Sequence, residues 1–461
     1  MTMSIQLDWV TAPPVIPETT FNIMGYGAVG DGMVMNTWAI QTAIDECAKA
    51  GGGRVIIPPG IWLTGPITLR NRIDLHVQAG ALLLFSQNFN DYPLVEANYE
   101  GVSTIRCQAP INGDDLEDVA ITGDGVIDGG GAAWRPVKRS KTTQYQWRQL
   151  LSQGGVVEEG DDEAIWWPTP QALQGAEVVQ RLHTEGVQDR EDFAPARDFL
   201  RPALLRLQRC RRILLDGPTF QNSPAWCLHF FLSEHITIRQ IEVRNPWYAQ
   251  NGDGIDLDSC AYVLLENSSF DVGDDAICLK SGKNESGRDF SKPSAYISIR
   301  GCQVFHGHGG FVVGSEMSGG IHDIHISDCT FIGTDVGLRF KSARGRGGVV
   351  ENIVIDRIRM ADIAKEAISF HMFYDGTENT EITQAGSEVL STETPVFRNI
   401  FIHDVACVGA QTAILINELP ELPIEGLVID EVAIRSETGI VMNRGEKVTF
   451  KNVRISSLRD R

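Results

Sequence analysis

The 461-residue chain is predicted to be an all-β protein, a parallel β-helix whose first coil is covered by one capping helix. From about residue 236 to the end one pattern recurs, in which two short apolar-polar-apolar stretches are separated by two polar or turn-forming residues. Successive starts of this pattern are 27, 34, 27, 29, 47, 27 and 21 residues apart. A unit of such length that recurs along the chain is typical of a solenoid, in which each unit stacks on the one before.

The repeats are predicted to consist of short strands, because apolar and polar residues alternate within each stretch. Residues that favour tight turns separate the stretches, as at Asn267, Gly301, Asp328, Asp404 and Asn452. Leucine-rich repeats have a similar period but carry a leucine and asparagine signature that this sequence lacks, and propeller blades are longer and antiparallel. Coils of short strands and turns therefore favour a parallel β-helix, and less regular coils are visible before residue 236.

Residues 37–50 are predicted to form the helix that caps the N-terminal end of the stack. Ile40, Ala43, Ile44, Cys47 and Ala48 fall on one side of this helix, and the glycines at 51–53 end it. Such a cap is expected because the open end of a β-helix exposes strand edges. A phosphate-binding loop is the alternative interpretation of the glycine triplet, but no Gly-Lys-Ser/Thr follows it.

The chain is predicted to hold a short N-terminal extension, residues 1–20, and a single β-helix domain, residues 21–461. Two insertions interrupt the coils, at about residues 135–200 and 375–395. The first is charged and carries three tryptophans, and the second is rich in threonine, glutamate and serine. Both are interpreted either as surface decoration or as walls that close an end of a cleft.

The composition indicates which binding partners are disfavoured and which cellular compartment is expected. The chain has 40 Lys and Arg residues and 60 Asp and Glu residues, so its formal net charge is −20. This charge disfavours nucleic acid and anionic membranes as partners, and it repels a polyanionic substrate unless the site is locally basic. No stretch approaches the roughly 20 apolar residues that span a bilayer. The first 20 residues show neither the basic start nor the apolar run of a secretion signal, and the nine cysteines show no metal-type pairing. We therefore expect a reduced, cytoplasmic protein, or an extracellular or periplasmic one if a leader has been removed.

Four polar signatures lie inside or just before short strands that end in serine. They are Asn251-Gly252-Asp253, Gly273-Asp274-Asp275, Gly307-His308-Gly309 and Arg339-Phe340-Lys341. When the strands are aligned on their serines, at offsets of 22, 34 and 27 residues, Asp253 falls in the column of Asp275. Asp274, His308 and Asp335 then share the neighbouring column. The repeat is therefore expected to gather three carboxylates, an imidazole and two cations on one wall of the stack.

The three aspartates are expected to act as one coupled acid–base group. Adjacent rungs of a β-helix are about 4.8 Å apart, so three acids in neighbouring columns are too close to be ionised together. The pKa of one should rise, which gives a proton donor, while the others can hold a water as base. Glycoside hydrolysis needs this division, and an inverting enzyme separates acid and base by about 6.5–9.5 Å. Strict alternation would point Asp253 and Asp275 into the core, so the chain is expected to turn just there.

Two other interpretations of the aspartates stay open on the residues alone. Aspartate is common in the turns of a β-helix, so any one of the three could be a turn residue. A divalent metal could also use these acids, as in a calcium-dependent lyase on the same fold, although such an enzyme has no evident need of His308.

A basic stretch follows the third signature. It places Arg339, Lys341, Arg344 and Arg346 within eight residues, with no acid among them. A solvated loop is one interpretation, but Arg339 and Lys341 alternate with apolar residues, which favours a strand that displays both cations on one wall. The stretch could make the site locally basic on an otherwise acidic protein.

The four signatures resemble those of glycoside hydrolase family 28, the polygalacturonases of pectin breakdown. The family pattern Asn-x-Asp, (Gly/Gln)-Asp-Asp, Gly-His-Gly and Arg-Ile-Lys is similar to them in order and spacing. FNIMGYGAVGDG at 21–32 and GGRVIIPPG at 52–60 are also similar to that family, so the resemblance spans most of the chain except the insertions. Gly252 and Phe340 replace commoner residues, and Phe340 is expected to point inward and to change packing more than chemistry. The resemblance implies a right-handed parallel β-helix of the pectin-lyase-like type.

The resemblance also implies catalytic roles. Asp274 would be the general acid that protonates the leaving oxygen. Asp253 and Asp275 would activate the attacking water, so that the anomeric configuration inverts. His308 would tune the protonation of the acid.

Substrate-binding roles follow from the same resemblance. Arg339 and Lys341 would bind a galacturonate carboxylate, for which their side chains are suited. Asn251, Lys280 and Tyr374 complete the expected substrate-binding set, with Tyr374 as a sugar-stacking residue and a core or surface tyrosine as the alternative. The resemblance implies no metal and no cofactor.

Residues 314–320, Gly-Ser-Glu-Met-Ser-Gly-Gly, and the two insertions resemble bacterial exo-acting members of the family. We therefore expect an exo-polygalacturonase that cleaves α-1,4-galacturonosyl linkages of short pectic oligogalacturonides and releases galacturonate. The alternatives are a hydrolase of rhamnogalacturonan or substituted galacturonan from the same family, a calcium-dependent pectate lyase, and a non-catalytic β-helix that binds glycans.

Overall fold

The computed structural model describes residues 9–160, 163–374 and 386–458. Thirty strands join in one sheet, and each strand of a coil pairs in parallel with the equivalent strands of the coils before and after it. The apolar faces of these strands form one continuous core cluster along the stack. The predicted parallel β-helix is confirmed.

The strands lie on three faces of the coil. The cleft face, named for the cavity described below, holds Ile67–Thr68, Ile111–Asp114, Leu205–Gln208, Leu228–Phe231, Ile255–Asp258, Asp275–Lys280, Gly309–Val313 and Val336–Lys341. The second face holds Thr20–Asn22, Gly53–Ile57, Ile73–Val77, Glu117–Thr122, Arg211–Asp216, Glu234–Arg239, Ala261–Glu266, Ser294–Arg300, Ile321–Ser327 and Val448–Lys451. The third face holds Gly60–Thr64, Ala81–Phe85, Val126–Asp128, Thr219–Gln221, Glu242–Arg244, Ser269–Asp271, Gln303–Phe305, Thr330–Ile332 and Arg454–Ser457. Three long strands, Val349–His371, Val396–Asn417 and Glu425–Met442, pass through all three faces.

The register on the cleft face confirms the predicted columns. Ile255 is paired with Ile277, Ile277 with Phe311, and Phe311 with Leu338, which are the offsets of 22, 34 and 27 residues. The predicted turn residues adopt the left-handed backbone that a sharp corner needs, with φ of 49° at Asn267 and 57° at Asp328.

The capping helix extends over Thr37–Lys49, one residue shorter than predicted. Its predicted inner side is buried, since Ile40, Ala43, Ile44 and Cys47 have no solvent exposure and belong to the continuous core. The helix therefore covers the apolar end of the first coil.

Two antiparallel elements stand outside the stack. One is a hairpin of Leu94–Tyr99 and Val102–Cys107, which the sequence did not predict. The other is the first insertion, where Val137–Lys138, Val156–Glu159 and Ala164–Trp167 form a small sheet beside the helices Gln144–Ser152 and Pro170–Thr184 and the 3-10 segment Arg190–Phe199. Hairpin and insertion share a second apolar cluster around Tyr92, Trp134 and Phe193, so they form one body beside the cleft face.

The remaining helical segments are short: Ile23–Tyr26, Phe89–Asp91, Gly131–Ala133, Arg139–Lys141 and Asn284–Phe290. Residues 1–8 of the predicted extension and 375–385 of the predicted second insertion lie outside the described residues, and residues 386–395 are described without a helix or strand. Within the described ranges, no helix combines the length and apolar character needed to cross a membrane.

Candidate active site

A cavity of about 760 Å³ opens on the cleft face. All nine residues that the sequence predicted for the site line it: Asn251, Asp253, Asp274, Asp275, Lys280, His308, Arg339, Lys341 and Tyr374. The stacking of successive coils has therefore brought the four signatures together on one wall.

A break in the side-chain alternation turns Asp275 toward this cavity. Ala276 and Ile277 are consecutive, yet both lie in the apolar core. Asp275 instead faces outward and contacts Lys341. Gly273 lies in the bend before it and allows the backbone of residues 246–249 to approach closely, since a Cβ at Gly273 would lie 2.6 Å from the carbonyl oxygens of Pro246 and Ala249. The predicted turn of the chain at this aspartate is confirmed.

The three aspartates form a compact group. One oxygen of each lies within 4.8 Å of an oxygen of the other two, which is shorter than the separation of about 6.5–9.5 Å expected for an inverting pair. Asp253 and Asp275 are only 4 % and 2 % exposed, whereas the side chain of Asp274 is 21 % exposed. Of the three, Asp274 is the one whose carboxylate has access to a ligand in the cavity.

Cations hold two of the aspartates ionised. Lys341 Nζ donates to Asp275 Oδ2 at 2.7 Å, and Arg339 Nη1 donates to Oδ1 at 3.4 Å. Burial alone would raise the pKa of Asp275, but these two cations hold it below its ordinary value. Burial likewise opposes ionisation of Asp274, but His308, whose Nδ1 lies 3.2 Å from Asp274 Oδ1, and Lys341 lower its pKa.

Asp253 behaves in the opposite way. Burial, followed by the neighbouring charge of Asp274, raises the pKa of Asp253 well above its ordinary value. The expectation that one of the three acids holds a proton is therefore met, but by Asp253. The role of proton donor that the family resemblance gives to Asp274 rests on its access to the cavity and its contact with His308, and a coupled group can share one proton among its members.

The predicted substrate-binding residues differ in how they face the cavity. The Asn251 backbone N–H donates to Asp274 Oδ2 at 3.2 Å, while its side-chain oxygen accepts a hydrogen bond from Arg201 at 2.8 Å. Asn251 therefore orients the acid, and its side-chain oxygen is directed at Arg201. The ring of Tyr374 lies 4.9 Å from Lys341 Nζ, so it packs against the cations that bind Asp275.

Lys280 faces the closed side of the cavity and is already paired. Its ammonium lies 3.2 Å from Glu316 and 3.6 Å from Asp256, and 5.1 Å from the ring centroid of Trp226. The charge of Lys280 is therefore matched by protein carboxylates, whereas Arg339 and Lys341 together face the single carboxylate of Asp275 and keep a positive charge for a substrate carboxylate.

Several residues of the cavity wall escaped the sequence analysis. They are Glu100 of the hairpin, Lys138 and Lys141 of the first insertion, and Trp226, Trp247, Tyr248 and Glu316. The pattern of residues 314–320 predicts no role for its glutamate. Glu100 and Gly101 have the positive φ of a two-residue hairpin turn, 51° and 71°, but Glu-Gly is not a dipeptide that signals such a turn in the sequence.

The hairpin tip forms part of the cavity wall, where Glu100 and Lys283 both line the cavity. A Cβ on Gly101 would lie 2.6 Å from Lys283 Cβ, so the tip touches the strand connection that follows Lys280. Tyr99 stacks on Trp226 with ring centroids 4.6 Å apart, and the Arg106 guanidinium lies 3.8 Å from the Tyr99 ring. These contacts fix the hairpin against the cavity wall.

A calcium site fits this arrangement less well than an acid–base group does. The three aspartates could supply oxygen ligands to a divalent ion. Lys341 Nζ, however, lies 2.7 Å from Asp275 and would compete with the ion for that carboxylate.

Comparison with known proteins points to one family. Residues 196–457 match the family described as glycosyl hydrolases family 28. A hyperthermoactive exopolygalacturonase from Thermotoga maritima has a similar structure, with a TM-score of 0.76 and 31 % identity over 96 % of this chain and 94 % of that chain. A probable polygalacturonase from Vitis vinifera is 28 % identical over 423 residues, 90 % of this chain and 74 % of the relative. An exo-poly-alpha-D-galacturonosidase from Dickeya chrysanthemi is 29 % identical over 387 residues, 82 % of this chain and 61 % of the relative.

The match covers more than half of the chain and contains all four signatures, whose residues meet in one cavity. The resemblance stated from the motifs is thereby confirmed, and the protein belongs to glycosyl hydrolase family 28.

Proposed function

We propose that the protein is an exo-acting polygalacturonase, which hydrolyses the α-1,4-galacturonosyl linkage at the non-reducing end of pectic oligogalacturonides and releases galacturonate. The observation that carries the proposal is the contact of the hairpin tip with Lys283, because it closes one end of the cleft beside the catalytic aspartates. A polymer cannot extend through a closed end, so the sugar beyond the cleaved bond is the last of its chain.

The charge of the cavity supports a uronate substrate. The protein carries a formal net charge of −20, yet Arg339, Lys341, Lys138 and Lys141 face this cavity. Arginine and lysine bind carboxylates through charged hydrogen bonds. A locally basic cavity on an acidic protein therefore supports selection of an acidic sugar chain.

The relatives support the same substrate and the same mode of attack. Similar proteins include the exopolygalacturonase from Thermotoga maritima and the exo-poly-alpha-D-galacturonosidase from Dickeya chrysanthemi.

The first insertion contributes Lys138 and Lys141 to the cavity and packs with the hairpin. Of the two interpretations of this insertion, a wall of the cleft is favoured.

In the proposed reaction each group has one step. The three aspartates share one proton, and when a substrate is bound this proton passes from Asp253 to Asp274, which has access to the cavity and donates it to the leaving glycosidic oxygen. His308 faces Asp274 and stabilises the carboxylate that results. Asp275, held ionised by Lys341, and Asp253, once it has given up its proton, bind the water and accept its proton as it attacks the anomeric carbon. Arg339 and Lys341 also direct the substrate carboxylate, which fixes the sugar for attack.

A time course of products tests the proposal. Trigalacturonate and polygalacturonic acid are incubated separately with the enzyme, and products are resolved by mass spectrometry from the first minute. Galacturonate alone at the earliest times is the expected result. A ladder of oligomers from the polymer would establish endo attack, an unsaturated product would establish a lyase, and the absence of any product would exclude galacturonan as the substrate.

Residence in the cytoplasm is part of the proposal. All nine cysteines are free and buried, and burial raises the pKa of Cys227 and Cys260, among others, so these thiols behave as small apolar side chains. A protein with many unpaired thiols suits a reducing compartment. Cell fractionation with an antibody tests this, and recovery of the enzyme outside the cytoplasmic fraction would contradict it.

A further inference from the structure

Glu316 lies at the closed end of the cleft, apart from the acid–base group. Its carbonyl oxygen accepts a hydrogen bond from the Ser281 N–H at 2.7 Å, next to Gly282 and Lys283, where the hairpin tip rests. Its side chain is 11 % exposed and lines the cavity. The carboxylate is therefore placed where the last sugar of a chain would meet the wall.

The surrounding groups keep Glu316 ionised. Burial favours the protonated acid, but the cations Lys280, Lys341 and Arg346 lower the pKa of Glu316 to about 2. Lys280 Nζ donates to Oε2 at 3.2 Å, and the Ser315 hydroxyl donates to Oε1 at 3.2 Å. A carboxylate offers about four acceptor positions, so these contacts leave about two for donors from a ligand.

A carboxylate in this position favours hydroxyl groups of the substrate over its carboxylate. The negative charge of Glu316 repels a galacturonate carboxylate, which the cations Arg339 and Lys341 of the same cavity attract. A hydroxyl group, in contrast, donates a strong hydrogen bond to an ionised acceptor. The sugar at the closed end is therefore oriented with hydroxyl groups toward Glu316.

We propose that Glu316 recognises the free C4 hydroxyl of the non-reducing terminal galacturonate, together with the neighbouring C3 hydroxyl. This inference rests on the proposed exo function. The O4 atom of every internal sugar is part of a glycosidic bond, so only the chain end offers an O4–H donor. In a galacto-configured sugar the C3 and C4 hydroxyls are cis, and the open acceptor positions of one carboxylate suit such a pair. Glu316 then selects intact chain ends and rejects ends without a C4 hydroxyl.

The test compares two substrates on the same protein sample. Trigalacturonate carries the terminal C4 hydroxyl, whereas 4,5-unsaturated trigalacturonate, the product of a lyase, carries a C4–C5 double bond in its place. The value of kcat/KM is measured for both with the wild type, Glu316→Gln, Glu316→Asp and Glu266→Gln. Glu266 is a suitable control because it is a largely buried, ion-paired glutamate that pairs with Arg300 and does not line the cavity.

The wild type should prefer the saturated trimer by about 10²-fold or more, because a site built to bind a hydroxyl strongly rejects an analogue without it. Glu316→Gln should lower kcat/KM for the saturated trimer by about 10- to 100-fold and leave the unsaturated trimer within about threefold. Glu316→Asp should keep part of the preference, and Glu266→Gln should match the wild type. The ratio of the kcat/KM values for the two substrates does not depend on the fraction of folded protein, so partial misfolding of a variant cannot imitate the effect.

Two results would overturn the inference in different ways. If Glu316→Gln keeps the wild-type preference for the saturated trimer and the wild type still releases galacturonate, Glu316 does not recognise the terminal C4 hydroxyl. The proposed exo function is then unaffected. A wild type that cleaves neither trimer would overturn the proposed function, and this inference would fall with it.

Discussion

Asp253 combines three unfavourable features at one residue. It is 4 % exposed, and its Oδ1 has no hydrogen-bond partner within the described structure. One of its carboxylate oxygens also lies within 4.8 Å of a carboxylate oxygen of Asp274 and of Asp275. Burial and Asp274 raise its pKa. The folded protein therefore keeps a proton on Asp253 that the unfolded chain loses above its ordinary pKa of 3.8, so the stability from this residue is present at low pH and is lost as the pH rises toward the raised pKa.

Replacing Asp253 with asparagine should stabilise the protein at pH 7. The amide cannot ionise and can donate to the neighbouring carboxylates, so we expect about 1–3 kcal/mol of added stability at pH 7 and little change at pH 4. Activity should be lost, because the amide cannot accept a proton from water. Thermal unfolding of both proteins at pH 4 and pH 7 measures the difference, and an equal shift at both pH values would show that the pKa of Asp253 is not raised.

Asp274→Asn should fold normally and lose nearly all turnover. The variant removes the proton donor that contacts His308, and general acid catalysis contributes about 10²–10⁴-fold to a rate. The matched control is Asp271→Asn, because Asp271 forms an equivalent pair with His306 at 3.0 Å on the exposed third face. We expect wild-type turnover for the control and a similar unfolding temperature for both. Retained turnover in Asp274→Asn would reject its role as acid.

The stereochemical outcome depends on the burial of the two bases. The distance between the carboxylates alone favours a retaining mechanism, since one oxygen of each of the three aspartates lies within 4.8 Å of an oxygen of the other two. Asp253 and Asp275 are nearly inaccessible, however, so neither is placed to bond directly to an anomeric carbon and form a covalent intermediate. We therefore expect inversion. Proton NMR in the first minutes of trigalacturonate cleavage should show β-galacturonate from the α-linkage, and a first product in the α form would demonstrate retention.

The catalytic residues could be predicted from the sequence because a solenoid converts sequence spacing into distance. The offsets of 22 and 34 residues place Asp253, Asp275 and His308 on neighbouring rungs whatever the connections between them do. Glu100 was not predictable in this way, because its position depends on how the hairpin packs against Trp226. Which acid holds the proton was also beyond the sequence, since burial and the positions of Lys341 and His308 decide it.

At the scale of secondary-structure elements, the hairpin controls the length of the cleft. Ala97 is paired with Thr104 two residues before the pair Tyr99 and Val102 that flanks the present turn, so residues 98–103 can be replaced by an Asn-Gly turn that joins Ala97 to Thr104 without a change of register. This variant loses the contact of Gly101 with Lys283 and the stack of Tyr99 on Trp226.

The shortened hairpin should convert exo attack into partly endo attack. Once the end wall is removed, a longer chain can pass beyond the cleaved bond, so polygalacturonic acid should yield di- and trigalacturonate together with galacturonate at early times. Mass spectrometry of the products measures this, and galacturonate release from trigalacturonate serves as the control for an intact catalytic group. Galacturonate as the sole early product would show that the hairpin does not form the end wall.

The repetitive elements were predictable and the added ones were not. Alternation and turn residues predicted the coils, because burial of one side of each strand is a local requirement that every repeat meets in the same way. The long strand Val349–His371 runs through the corners between the faces, with an irregularity in its pairing between Ile363 and Glu366. The first insertion follows no repeat, and its small sheet is stabilised by contacts of Trp147 and Trp166 that sequence spacing does not specify.

At the scale of the whole molecule, one apolar core connects the capping helix to the last coils. A stack of this kind is stabilised between neighbouring coils, and its two ends are the places where strand edges could pair with another chain. The capping helix covers the first end through fully buried residues such as Ile40 and Ile44, whereas Trp38 on the same helix is 72 % exposed. The association state of the protein should therefore depend on this helix.

Ile44→Asp should destabilise the cap and cause association between chains. A buried carboxylate without a partner costs several kcal/mol, in addition to about 2–5 kcal/mol for the lost apolar side chain, so the helix should detach and expose the first coil. Trp38→Asp is the matched control, because the same change on the exposed side of the helix should cost less than about 0.5 kcal/mol. Size-exclusion chromatography at two protein concentrations should show larger species that grow with concentration for Ile44→Asp and an elution volume like that of the wild type for Trp38→Asp. If Ile44→Asp elutes like the wild type at both concentrations and keeps its unfolding temperature, the helix is not what protects the end of the stack.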